Sequence, residues 1–153
     1  MKTTKIFSLI VMIFSVAALL VLTALLVLIP YLANSQLLVL KYTDGNHGAL
    51  RVFLYIADVA AIWFMIQMLR IMGSVSKGTP FMERNVSALK WMSLSCLVAF
   101  LDFLLMVVIF GNYTCFGILT CAAVLLFGAL CAYVLSRVFA EAVRCKAEND
   151  LTI

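Results

Sequence analysis

Two aspartates, Asp58 and Asp102, lie inside long apolar stretches of this chain. An ionisable side chain at the centre of a membrane-spanning helix costs about 2.5–3.5 kcal/mol on insertion scales, so each needs a reason to be there. If the two stretches cross as antiparallel helices with midpoints near Ala61 and Ala99, each aspartate sits about 4–5 Å outward of the membrane centre. Carboxylates at matched depth can face each other, and two that close share a proton rather than ionise together. Such a pair suits proton or cation passage. Arg51 lies seven residues before Asp58, on the same helix face but about 10 Å away along the axis, with Tyr55 between as a relay. Asp58, Asp102, Arg51 and Tyr55 therefore form a candidate intramembrane polar site. The same aspartates also admit a structural reading, as neutral groups bonded to backbone, tyrosine or hydroxyl partners that fix how the helices pair.

Other chemistry has little basis. His47 is the only histidine, and Cys96, Cys115, Cys121, Cys131 and Cys145 contain no C-x-x-C pair. Metal sites need clustered ligands, so no metal and no cofactor is expected. A nucleophile needs a base within reach, and none is visible. Gly73 and Gly78 do not make a phosphate-cradling loop. A diaspartyl enzyme would need an accompanying motif that Asp58 and Asp102 lack. The chain is expected not to be an enzyme. The cysteines read as small apolar thiols. Cys115 and Cys121, near one end of their segment, are placed to oxidise, and Cys145 is a juxtamembrane thiol.

The elements that must position these residues follow from composition. Of 153 residues 66% are hydrophobic and 12% charged, with a mean hydropathy of +1.17. Soluble domains run near 45–50% apolar and about 25% charged. A body this small cannot hide so much apolar surface from water, so its solvent is lipid. A crossing needs about 20 mostly apolar residues. Four stretches qualify, with membrane spans expected at about 6–29, 50–72, 88–110 and 116–139. Pro30 is expected to close the first, which is too long for a signal-peptide core of about 7–15 residues and reads as a retained helix. Helices and closed barrels alone span membranes, and these runs exclude a barrel. The fold class is all-α: an antiparallel four-helix transmembrane bundle with helices at about 6–29, 50–72, 80–110 and 116–148, the last ending in a short cytoplasmic extension. No linker or second domain is visible.

Lysine and arginine counts set the orientation. With the N-terminus inside, the inner side carries Lys2, Lys5, Arg70, Lys77, Arg84, Lys90, Arg137, Arg144 and Lys146, against Lys41 and Arg51 outside. Both termini are therefore expected in the cytoplasm. The net charge of +4 is spread along these flanks, which points to the bilayer and its headgroups rather than to nucleic acid. Gly128, Ala132, Ser136 and Ala140 recur every four residues, a small-residue stripe for close helix approach, within the chain or in a homo-oligomer. The tryptophans and several tyrosines suit interface belts, although Trp63 lies too deep for one and reads as packing.

The inner loop is polar. Thr79 is placed to cap the third helix with Pro80 at its first position, and Glu83 falls in the favourable first turn. The run Lys77-Gly78-Thr79-Pro80-Phe81-Met82-Glu83-Arg84-Asn85, followed by Leu89, and the ending Ala147-Glu148-Asn149-Asp150-Leu151-Thr152-Ile153 together resemble the YoaS-like family. Its members are small four-helix bacterial membrane proteins of unknown function. The resemblance implies a multi-pass protein of the bacterial cytoplasmic membrane and a small helix-turn-helix regulator as neighbour, and supplies no activity.

The leading expectation is a regulatory or docking protein. Its cytoplasmic face would be Gly78, Pro80, Phe81, Glu83 and Asn85 with Asn149, Thr152 and Ile153. The alternatives are a small transporter, channel or immunity-type protein built on Asp58 and Asp102, or an accessory subunit of a larger membrane complex.

Overall fold

The computed structural model describes residues 2–34, 47–78, 82–110 and 115–150. They form four helices: α1 (Lys2–Asn34), α2 (His47–Ser76), α3 (Glu83–Phe110) and α4 (Cys115–Asp150). Each contains a segment long and apolar enough to cross a membrane. The protein is an all-α, multi-pass membrane bundle.

Pro30 does not close α1. The helix carries it and continues to Asn34. A proline removes one backbone donor and crowds the carbonyl four residues earlier. Placed this close to the helix end, it leaves most of the hydrogen-bond ladder intact. At the other boundary, α3 begins at Glu83, three residues later than Pro80. The Met82 carbonyl accepts from the Asn85 amide (2.9 Å) and the Val86 amide (3.4 Å), opening the helix. The expected cap at Thr79 and Pro80 lies outside the described residues. Glu83 does occupy the first turn. Gly78, at φ +76°, ends the turn that follows α2, its amide bonded to the Val75 carbonyl at 3.0 Å. A left-handed residue stops a helix here, and only glycine takes that conformation without cost.

Packing is serial. Among the described residues α1 packs on α2, α2 on α3 and α3 on α4, and no other pair of helix backbones comes close. Three side-chain contacts set the registers. Ser8 Oγ donates to the Met72 carbonyl (3.3 Å) across α1 and α2. Trp63 and Trp91 meet edge to face across α2 and α3, centroids 6.0 Å apart. Ser93 Oγ donates to the Ala129 carbonyl (2.8 Å) across α3 and α4. All three pairings are antiparallel.

Two seams show a seven-residue repeat. On α1, Ser8, Ser15 and Ile29 are buried, with half-buried Leu22 completing the series. On α4, Ala122, Ala129 and Ser136 are buried. A seven-residue repeat keeps one seam facing the partner helix in a left-handed crossing. Small side chains there let backbones approach, which is how helices associate when lipid removes the hydrophobic drive. Ile71, Ala88, Leu89, Met92 and Ala132 form the apolar core, with Phe64, Met68 and Phe139 against it.

The distribution is inverted relative to a soluble protein. Ser8, Gln67, Asn85 and Ser136 are among the most completely buried side chains, whereas Phe14, Val108 and Phe116 are more than 70% exposed. Apolar groups face lipid at no cost, and polar groups turn inward to find partners. Ser15 and Ser95 find theirs on the carbonyl one turn back in their own helices.

Candidate functional site

Asp58 and Asp102 are both buried, at 8% and 5% exposure. They do not face each other. On α2 the side that meets α3 carries Ala60, Phe64, Gln67 and Ile71, of which Phe64 and Ile71 pack against Ala88 and Leu89. Asp58 precedes Ala60 by two residues, which is about 200° around the helix. It shares its face with Met65 and Met72, seven and fourteen residues on, and the Met72 carbonyl is bonded to Ser8 of α1. Asp58 therefore lies on the α1 side of α2. Counting fourteen residues from Ser8 gives Leu22 as the α1 residue at its level. Asp102 follows Ser95 and Ala88 at seven-residue steps, and both of those meet α2. The two carboxyls occupy opposite sides of α2. The expected match in depth is not met either: with Trp63 level with Trp91, Asp58 stands five residues and Asp102 eleven residues outward of that level, about 9 Å apart along the bundle.

Among the described residues no hydrogen bond links Asp58 to Asp102, and Asp58 Oδ2 is buried with no hydrogen-bond partner. Tyr55 lines a groove toward α3, and Arg51 is half-buried one heptad away from Asp58. Gln67 accepts from Arg70 Nη1 at 3.3 Å, while its own Nε2 is buried without a partner. No group of three or more histidine, cysteine or acidic side chains that could hold a metal occurs among the described residues.

The candidate docking residues divide. Gly78 and Glu83 are exposed. Asn85 is not: it is 1% exposed and sealed between helices. It falls on the same α3 face as buried Leu89 and Met92, four and seven residues on, so a partner cannot reach it. Pro80, Phe81, Thr152 and Ile153 lie outside the described residues. Asn149 is within α4, in its last turn.

The small-residue stripe packs within the chain. Ala132 and Ser136 are buried on α4, and a Cβ on Gly128 would stand 3.8 Å from Cys96 Sγ of α3. Cys96 is buried, and Cys121, Cys131 and Cys145 are free and exposed.

Two features escaped the sequence reading. One is an apolar groove of about 420 Å³ between α2 and α3, bounded by Tyr55, Ile56, Val59, Trp63, Trp91 and Val98. Its signal was present as the seven-residue spacing of Ile56 to Trp63 and of Trp91 to Val98. The other is the reach of α4: the expected helical extension is present, and what the sequence did not give is how far it overhangs α3. With Ser93 level with Ala129, ten residues down α3 reach its start at Glu83, and ten residues along α4 reach Phe139. Phe139 is the last α4 residue packed on the core. Beyond it α4 runs to Asp150, about 16 Å of helix with no α3 beside it. Glu141, Arg144, Cys145, Lys146, Ala147 and Glu148 are exposed there, and Arg144 Nε is paired with Glu148 at 3.0 Å.

The family model described as a protein of unknown function, DUF2975, matches residues 31–153. The match spans α2, α3, α4 and both motifs that carry the resemblance noted above, under its own description and without the YoaS-like label. Almost all of α1 precedes it. No curated protein and no solved structure matches the chain.

Proposed function

We propose that this chain, which belongs to the DUF2975 family of proteins of unknown function, is a membrane-anchored docking protein for a soluble cytoplasmic partner. The observation that carries this reading is the α4 overhang. A helix that runs past every other described helix, exposed at Glu141 and from Arg144 to Glu148 and bearing charges of both signs, is a surface for another protein. Short helices are marginal alone, and this one is held by continuity with a membrane span. Exposed Gly78 and Glu83 lie at the same end of the molecule, so these two residues and the overhang make one face. The lysine and arginine asymmetry supports a cytoplasmic position for that face, with the bacterial plasma membrane as the expected location. The resemblance makes a small helix-turn-helix regulator the partner to test first.

The test is a pull-down of N-terminally tagged full-length protein from native membranes, beside a version ending at Phe139, read by mass spectrometry. A soluble protein captured by the first and lost from the second, with insertion unchanged, supports docking. Equal capture by both would remove the overhang from the proposal. Transport through Asp58 and Asp102, or service as a subunit of a larger complex, would appear instead as flux lost in Asp58→Asn or as co-purifying polytopic proteins.

A further inference from the structure

The groove between α2 and α3 turns from apolar to basic in one step. On α2, Ile56, Trp63 and Arg70 recur every seven residues; on α3, Val98, Trp91 and Arg84 do the same in the opposite direction. Seven residues return a helix to within about 20° of the same face. Each arginine therefore continues the face on which its tryptophan lines the groove. The helices are antiparallel and meet at Trp63 and Trp91, so Arg70 and Arg84 stand at one level, about 10 Å from the ring pair. Both are exposed. Arg70 is drawn back toward the rings, because its Nη1 donates to Oε1 of Gln67 (3.3 Å), which is itself buried. Glu83 is adjacent to Arg84 in sequence but points about 100° away from it.

We propose that this groove binds one anionic phospholipid, with an acyl chain along the tryptophans and the phosphate held between Arg70 and Arg84. Charge complementarity selects the occupant. Two guanidinium groups at the end of an apolar trough match a phosphate in fork geometry, and they repel the cationic half of a zwitterionic headgroup. Length agrees. From Arg70 to Ile56 is about 21 Å along α2, which accommodates a chain crossing one leaflet of about 15 Å. Trp63 and Trp91, at 44% and 48% exposure, give the chain flat ring surface to lie on. The binding site does not depend on the docking reading.

The test uses the full-length protein in nanodiscs of phosphatidylcholine with a minority of phosphatidylglycerol, released into mild detergent for native mass spectrometry. Wild type should retain a single phosphatidylglycerol in preference to phosphatidylcholine. Arg70→Gln with Arg84→Gln should lower that retention about tenfold, the loss of roughly one charge-assisted hydrogen bond. Arg70→Lys with Arg84→Lys should keep most of it. Trp63→Ala should release both lipids. Equal retention of the two lipids by wild type overturns the proposal, as does retention unchanged in both the glutamine pair and the tryptophan variant.

Discussion

The Ser93 hydroxyl donates to the Ala129 carbonyl at 2.8 Å, one polar bond joining α3 to α4 inside an apolar seam. It sets the level of the two helices and hence the length of α4 left over. Interhelical hydrogen bonds in membranes average about 0.6 kcal/mol, with a maximum near 1.7. Ser93→Ala should lower stability by about that much, measured by reversible unfolding in mixed micelles. An unchanged unfolding midpoint would mean that packing alone sets the register.

The α4 stripe predicts opposite outcomes at neighbouring turns. Ser136 is fully buried at its seam, so Ser136→Leu should separate α3 from α4 and cost about 1–3 kcal/mol. At Gly128 an added Cβ would reach Cys96 Sγ at an ordinary 3.8 Å. Gly128→Ala should therefore be neutral or stabilising, by up to about 1 kcal/mol from helix propensity. Chemical-denaturant midpoints of both variants beside wild type decide the matter. A strongly destabilised Gly128→Ala would show a closer approach than the geometry gives.

Asp58 holds a buried carboxyl oxygen with no partner. Such a group costs about 1–3 kcal/mol. Asp58→Leu should raise stability by up to that amount, which would mark the aspartate as kept for something other than the fold. Because Asp58 and Asp102 lie on opposite sides of α2, replacing both should give the sum of the single effects within about 0.5 kcal/mol. A larger coupling in the double-mutant cycle would restore the paired-carboxylate reading.

Much of the architecture was legible because lipid imposes a coarse rule: four apolar runs, four helices. The ends were less so. Pro30 reads as a stop, yet a missing donor within about one turn of a helix end disturbs little. Azimuth was not legible in the same way: the turn of about 200° between Asp58 and Ala60 follows from 3.6 residues per turn, but which of the two faces α3 is given only by the packing. Burial of Asn85 was hidden by its place in a polar run, where Glu83 and Arg84 face outward and only the helical step turns Asn85 in. The Trp63–Trp91 contact needed the α2–α3 register, which no local pattern fixes.

Two glycines five residues apart should respond with opposite signs. Neither has an atom within 4 Å of an added Cβ, so space does not distinguish them. Backbone does. Gly73 lies within α2, where alanine is better than glycine by about 0.8–1.0 kcal/mol. Gly78 sits at φ +76°, where an L side chain costs roughly 1–2 kcal/mol. Gly73→Ala should raise the unfolding midpoint and Gly78→Ala should lower it, and the second should also loosen the loop that feeds α3. Hydrogen exchange at Lys77 and Gly78, whose amides are bonded to Gly73 and Val75, reads that loosening directly. Faster exchange confined to these amides would place the strain in the turn. Slower exchange, or a stabilised Gly78→Ala, would mean that the turn is not left-handed in the membrane.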